Sequence, residues 1–266
     1  VVTNRMQAKE SIDIKAKEFT QETSTYVDGK LKIEADKTSL KGSGTQAGEV
    51  EVTGNLESNV TVYSKGNITI GGDTKSNGQL LSEGSLEIKG NLEASDLVYG
   101  KDEIKVGKNL TNKSDLQSEG NVTVGGDVTN TGKVFSDKNL NIKGNAVNQG
   151  TLYGKDSIKI EKNLNNSGNI QTAGDLSAKD TVNTGYIVAE ENIETENINN
   201  SGEVLTNKKL TTKNLDNRTS GKINTGNGIS TSGNVSNQGT MNTNGDLIVN
   251  GNFENNNIVN AGGTLT

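Results

Sequence analysis

Thirty-three carboxylates, with no histidine and no cysteine, bound the chemistry open to this 266-residue chain. Nucleophile systems of the Ser-His-Asp or Cys-His kind cannot be assembled without an imidazole or a thiol. Zinc sites of the usual nitrogen and sulfur type are excluded for the same reason. What remains is acid chemistry, such as polysaccharide cleavage. That requires carboxylates clustered on neighbouring segments, with Lys or Arg to stabilise developing charge. Here the acids are scattered: Asp73 and Asp127 sit at equivalent places in the sequence pattern, and the equivalent places between them carry Asn91 and Asn109. A carbohydrate-active enzyme is therefore the alternative reading, and no catalytic residue is assigned. Gly71-Gly72-Asp73 and Gly125-Gly126-Asp127 touch on calcium-binding nonapeptide arrays, but no G-x-D follows either, so no metal or cofactor is expected. Glycine-rich turns recur without a Walker lysine or a following helix, which leaves nucleotide binding without support.

The feature that rises above this background is apolar. Tyr63, Leu81, Tyr99, Phe135 and Tyr153 fall on one 18-residue spacing, with Gln117 interrupting and Val188 and Leu205 extending it. Each follows an inward-reading aliphatic residue, so strand alternation turns this column outward. An exposed apolar and aromatic stripe of this kind marks a contact surface. The competing structural reading is that the stripe only covers a sheet edge.

A stripe with fixed spacing needs a periodic scaffold, and the whole chain supplies one. Consecutive blocks read GNITIGGDTKSNGQLLSE (66–83), GSLEIKGNLEASDLVYGK (84–101), DEIKVGKNLTNKSDLQSE (102–119) and GNVTVGGDVTNTGKVFSD (120–137). A repeat this short is one coil of a stack, not a domain. Counting from the first residue of each block, positions 3 and 5 alternate with polar residues, as in Ile68 and Ile70, Leu86 and Ile88, Ile104 and Val106. That is a strand with one buried face. Position 9 (Leu56, Leu92, Leu110, Val128, Val182, Phe253) and position 15 (Val62, Leu80, Val98, Leu116, Val134) give two further inward columns. Asn, Asp and Gly separate the columns, as at Gly54-Asn55, Gly72-Asp73 and Gly90-Asn91, and a second Asn series runs through Asn112, Asn130, Asn148 and Asn166. Both residue types tolerate positive φ, so both are expected at corners. Stacked Asn side chains can also form amide ladders.

Three short strands and three corners in about 18 residues specify an all-β, right-handed parallel β-helix. Its strands are nearly all central, which accounts for the absence of Pro. Residues 48–266 carry the regular repeats. Residues 1–47 read as divergent coils of the same solenoid, with Ile12, Leu31 and Val50 spaced 19 apart. Spacing falls to 17 between Leu176, Ile193 and Leu210, which predicts a shortened corner rather than a broken stack. Some 14 to 15 coils at about 4.8 Å each predict a rod of roughly 70 Å. Composition agrees: 38 Asn and 33 Gly against only 29% hydrophobic residues suit a solenoid better than a globule. The net charge of −6 is interspersed and offers no basic patch for nucleic acid. No apolar run is long enough to insert in a membrane. The chain closes on Gly263-Thr264-Leu265-Thr266, the opening of another repeat, so an excerpt of a longer protein is expected.

The phrases GSLEIKGNL (84–92) and KNLNIKGN (138–145), followed by N-x-G and a short strand, resemble filamentous haemagglutinin repeats. The resemblance is close over residues 48–266 and loose over 10–47. That family comprises bacterial exoproteins of two-partner secretion, including haemagglutinin-type adhesins and contact-dependent growth inhibition proteins. It implies a secreted or outer-membrane-associated filament, exported through an outer-membrane transporter. A receptor on a host or neighbouring cell, protein or glycan, would be its target.

Overall fold

The computed structural model describes residues 1–266, which form 42 short β-strands and no helix. The chain divides into two compact units, Val1–Asp137 and Lys138–Thr266. Each is a right-handed parallel β-helix in which every coil contributes a first, a second and a third strand.

In the first unit the first strands stack parallel and in register, Ile12 against Leu31, Leu31 against Val50, Val50 against Ile68, and on through Leu86, Ile104 and Val122. The second strands align Phe19, Thr38, Leu56, Thr74, Leu92, Leu110 and Val128. The third strands align Thr25, Thr45, Val62, Leu80, Val98, Leu116 and Val134. The divergent opening coils thus share all three strands with the regular ones. Successive inward residues lie directly over one another, and the aliphatic ones from Leu31 onward are at most 2% exposed. Period-two alternation is the cause: within each strand, residues alternate between the interior and the solvent side.

The second unit repeats the plan, with Leu140, Ile158, Leu176, Ile193, Leu210, Ile229 and Leu247 in one column. Where the sequence spacing falls to 17, the first corner is lost. First and second strands then fuse into one nine-residue strand, Asp175–Asn183, and one eight-residue strand, Ile193–Asn200. This shift corrects one expected core residue. Thr181, not Val182, pairs with Leu164 and Ile198 and points inward, while Val182 is 45% exposed. The missing residue falls before this position, so every later side chain in the strand moves to the opposite face. Phe253 also departs from expectation at 37% exposed, because no coil covers the second strand of the final turn.

The corner glycines have a different cause from the one anticipated. No non-glycine residue has positive φ, and only Gly42, Gly44 and Gly228 do among the glycines. The remaining corners are extended or right-handed, so conformational freedom is not what selects glycine there. Close approach is. A Cβ on Gly72 would sit 2.6 Å from the Gly54 carbonyl carbon and 2.7 Å from the Asn55 nitrogen. At Gly72 a side chain would have to displace the preceding coil's backbone, although Lys108 stands at the equivalent place two coils on.

Asn and Asp at the corners act through their side chains instead. The Asn55 Oδ1 accepts from the Asp73 backbone N–H at 2.8 Å, Asp73 Oδ1 accepts from Asn91 N–H at 2.8 Å, and Asn109 Oδ1 accepts from Asp127 N–H at 2.8 Å. Each corner thereby anchors the coil that follows it. The second Asn series is not at a solvent corner at all. Asn112, Asn130, Asn148, Asn166, Asn183, Asn200, Asn217 and Asn237 end the second strands and are fully buried. In the second unit Asn148 Nδ2 donates to Asn166 Oδ1 at 2.8 Å, Asn166 to Asn183 at 2.9 Å, Asn183 to Asn200 at 2.8 Å and Asn200 to Asn217 at 3.0 Å. Each amide also donates to two backbone carbonyls, for Asn183 those of Gly185 at 3.2 Å and Glu203 at 3.1 Å. Burial of so many amides is tolerated because they are satisfied by one another and by backbone carbonyls, the Asn112 Oδ1 at the head of the series excepted.

Candidate functional site

The outward residues of the third strands carry the candidate contact surface. In the first unit, register places Tyr63 beside Leu81, Leu81 beside Tyr99, Tyr99 beside Gln117 and Gln117 beside Phe135. The structure extends this column toward the N-terminus, where Tyr63 pairs with Gln46 and Gln46 with Tyr26. Sequence counting missed Tyr26 because the two intervening coils are 20 and 17 residues long, not 18, although its neighbours Thr25 and Val27 mark it as outward. In the second unit Tyr153 pairs with Gln171, and Val188 with Leu205. That column then becomes an outward-facing amide ladder, with Asn242 Nδ2 donating to Asn224 Oδ1 and Asn260 Nδ2 to Asn242 Oδ1, each at 2.8 Å.

The rings are partly covered, not free-standing. Tyr63, Leu81, Tyr99 and Tyr153 are half-buried and Phe135 is 37% exposed. Tyr99 donates its hydroxyl to Glu119 Oε1 at 2.6 Å, a residue of the next coil, so the ring leans along the coil axis and lies over the sheet. The Glu119 hydrogen bond, with burial and the nearby carboxylates, pushes the Tyr99 phenol up to about 12. Tyr26 donates to Asp28 Oδ1 at 2.9 Å, and this bond raises its pKa as well. Both hydroxyls are neutral at neutral pH and each is tied to a carboxylate.

Some glutamates elsewhere are paired with lysines. Lys30 reaches Glu51 at 2.5 Å and Glu49 at 3.3 Å, and Lys113 reaches Glu93 at 2.6 Å. The Lys30 ammonium holds Glu51 below the ordinary carboxylate range, and Lys113 does the same to Glu93. A general acid needs the opposite shift. No group of three His, Cys, Asp or Glu converges as metal ligands would.

Each unit also has an open groove beside its second strands. In the first unit a groove of about 690 Å³ is bordered by Lys37, Asn55, Asp73, Asn91 and Asn109 on one side and by Glu57, Lys75 and Glu93 on the other. In the second a groove of about 640 Å³ includes Asp180, Asp216 and Glu254. Asn197 Nδ2 donates to Asp180 Oδ1 at 2.6 Å, and Arg218 Nε lies 3.3 Å from Asp216 Oδ2, so two of these acids already have partners. Compared with family models, curated proteins and solved structures, the chain matches none of them.

Proposed function

We propose that this chain is a stiff structural and binding segment of a secreted bacterial surface filament, of the haemagglutinin-like adhesin or contact-dependent growth inhibition kind. In this role the solenoid holds a binding or toxic element away from the cell that made it. Export through an outer-membrane transporter would leave the chain unfolded until its coils add outside the cell. The absence of cysteine suits that route, since nothing can cross-link on the way.

One observation carries the reading. The chain's polar side chains are spent on joining each coil to the next: corner carboxylates and amides bind backbone N–H groups one turn on, and the buried amides bind one another. A scaffold built this way gains stiffness along its axis, because each coil is fixed by its neighbours. The outward aromatic column then supplies the contact surface. Its partner would be a protein or glycan receptor on a host or neighbouring cell.

The test is adhesion of beads coated with the chain to target cells. The combined substitutions Tyr99→Ser, Phe135→Ser and Tyr153→Ser should reduce adhesion while leaving the circular dichroism spectrum intact. Unchanged adhesion would assign the stripe a purely structural role. Saturable cleavage of a polysaccharide, abolished by Asp180→Asn or Asp216→Asn, would replace this reading with a carbohydrate-active enzyme.

A further inference from the structure

Aromatic residues in the first unit are few and placed in one line. Of its five, Phe19 is in the core and the other four, Tyr26, Tyr63, Tyr99 and Phe135, occupy the single outward column of the third strands. Within that column they alternate with Gln46, Leu81 and Gln117, so that an aromatic ring recurs on every second coil. Parallel strands are about 4.8 Å apart, which puts the rings about 9.6 Å apart and spreads the four over about 29 Å.

We propose that this column is a binding track for a neutral, flat-ribbon polysaccharide of the β-1,4-linked type, lying parallel to the coil axis of the first unit. The proposal rests on the contact-surface reading above and names its ligand. A β-1,4-linked chain is an extended two-fold ribbon that presents the same sugar face once per disaccharide, and its disaccharide repeat is close to the two-coil spacing. Alternate sugar rings then stack on successive aromatic faces. Stacking uses the C–H faces of a pyranose against the negative face of a ring, the part of Tyr and Phe that suits it. The two glutamines between rings each offer an amide donor and acceptor to the intervening sugar hydroxyls.

Two further observations favour this occupant. The Tyr99 hydroxyl is tied to Glu119 in the next coil and the Tyr26 hydroxyl to Asp28, so both rings are held in place before a ligand arrives. Ordering cost on binding is reduced accordingly. The charge beside the track also alternates in sign, with Lys65, Glu83, Lys101 and Glu119 on successive coils two residues on from the column. No single-sign field is offered to a polyanionic glycan, which leaves neutral ones.

The experiment is co-sedimentation of the full 266-residue chain with insoluble chitin and with insoluble cellulose, followed by titration with soluble chitohexaose and cellohexaose. Heparin and amylose serve as the acidic and the coiled comparators. Binding to at least one ribbon polymer, and to neither comparator, is expected. Tyr63→Leu and Tyr99→Leu keep apolar cover on the sheet but remove the ring face, and each should weaken binding roughly three- to tenfold. Tyr99→Phe keeps the face but frees the ring from Glu119, so it should weaken binding less than Tyr99→Leu does, and Lys159→Ser, outward on a first strand of the second unit, should change nothing. Absence of binding to both ribbons overturns the proposal, as does binding indifferent to both Leu substitutions. If the Ser substitutions abolish cell adhesion while no ribbon is bound, the contact-surface reading stands and the glycan assignment falls.

Discussion

Replacing Asn183 with Ala should cost the fold about 4–6 kcal/mol, because one buried amide serves four partners. Its Nδ2 donates to Asn200 Oδ1 at 2.8 Å, Glu203 O at 3.1 Å and Gly185 O at 3.2 Å, and its Oδ1 accepts from Asn166 Nδ2 at 2.9 Å. Two hydrogens shared over three acceptors, plus one accepted bond, amount to about three net hydrogen bonds at about 1 kcal/mol each. Not every partner is orphaned. Asn166 Nδ2 keeps Gly168 O and Tyr186 O, each at 3.2 Å, and Gly185 O keeps the Glu203 N–H at 2.9 Å. Asn200 Oδ1 alone loses its donor in a fully buried place, which adds about 1–3 kcal/mol. The assay is urea unfolding followed by far-ultraviolet circular dichroism, with the parent chain and Asn183→Ala compared at equal slope. Asn183→Asp sharpens the test. A carboxylate placed among three carbonyl acceptors is strongly disfavoured, so its pKa in the fold rises above the unfolded value of about 3.9. The folded state then holds the proton more tightly. Stability of this variant should be greatest below about pH 4 and fall by about 1.4 kcal/mol per pH unit as pH rises toward the folded pKa. A loss under about 1 kcal/mol for Asn183→Ala, or a flat pH profile for Asn183→Asp, would refute the claim that the amide ladder holds the coils together.

Gly72→Ala should destabilise by roughly 1–3 kcal/mol, since its Cβ meets backbone atoms of Gly54 and Asn55 that cannot swing away. Gly66→Ala, whose Cβ meets only the Gly48 carbonyl at 3.0 Å, should lose less in the same unfolding assay. Ile104→Ala, at 1% exposure between Leu86 and Val122, should cost about 2–5 kcal/mol in a thermal or urea melt. Ultraviolet titration should find one tyrosine ionising near 12, and Glu119→Gln should return it toward the ordinary value of 10.0. Because the folded pKa is the higher one, the stability from this bond is complete below about pH 10 and is lost as pH rises through 12.

The strands and their inward columns were readable because burial on one face writes itself as alternation, and the period of 18 fixes which residues stack. Ile68, Leu86 and Ile104 needed nothing more than counting. Thr181 could not be placed by counting, because a deletion of one residue reverses every later side chain and the sequence does not say on which side of the strand the gap lies. The corner glycines were located correctly for the wrong reason. Tolerance of positive φ and lack of a Cβ select the same residue, and only the distance between coils separates them. Likewise Asn112 and Asn183 look like turn residues in a sequence this rich in Asn. Their burial depends on the next coil being present to accept their amides, which is a property of the stack and not of the local segment. The outward column was legible from Tyr63 onward. Tyr26 belongs to it only once coils of unequal length have been aligned by their pairing.

Parallel, in-register stacking is the claim on which the rest depends, and the opening coils, where the sequence pattern is weakest, are the hardest place for it to hold. Ser11 pairs with Lys30 at one end of their strands, and Lys15 pairs with Glu34 at the other. Spin labels at Ser11 and Lys30 should therefore sit about 4.8 Å apart at the backbone, and labels at Ser11 and Glu34 about 14 Å apart after four residues of rise. Strong dipolar broadening for the Ser11–Lys30 pair, with weak broadening for Ser11–Glu34, is the predicted result. The reverse pattern would mean that the segments pair antiparallel, and it would contradict the β-helix.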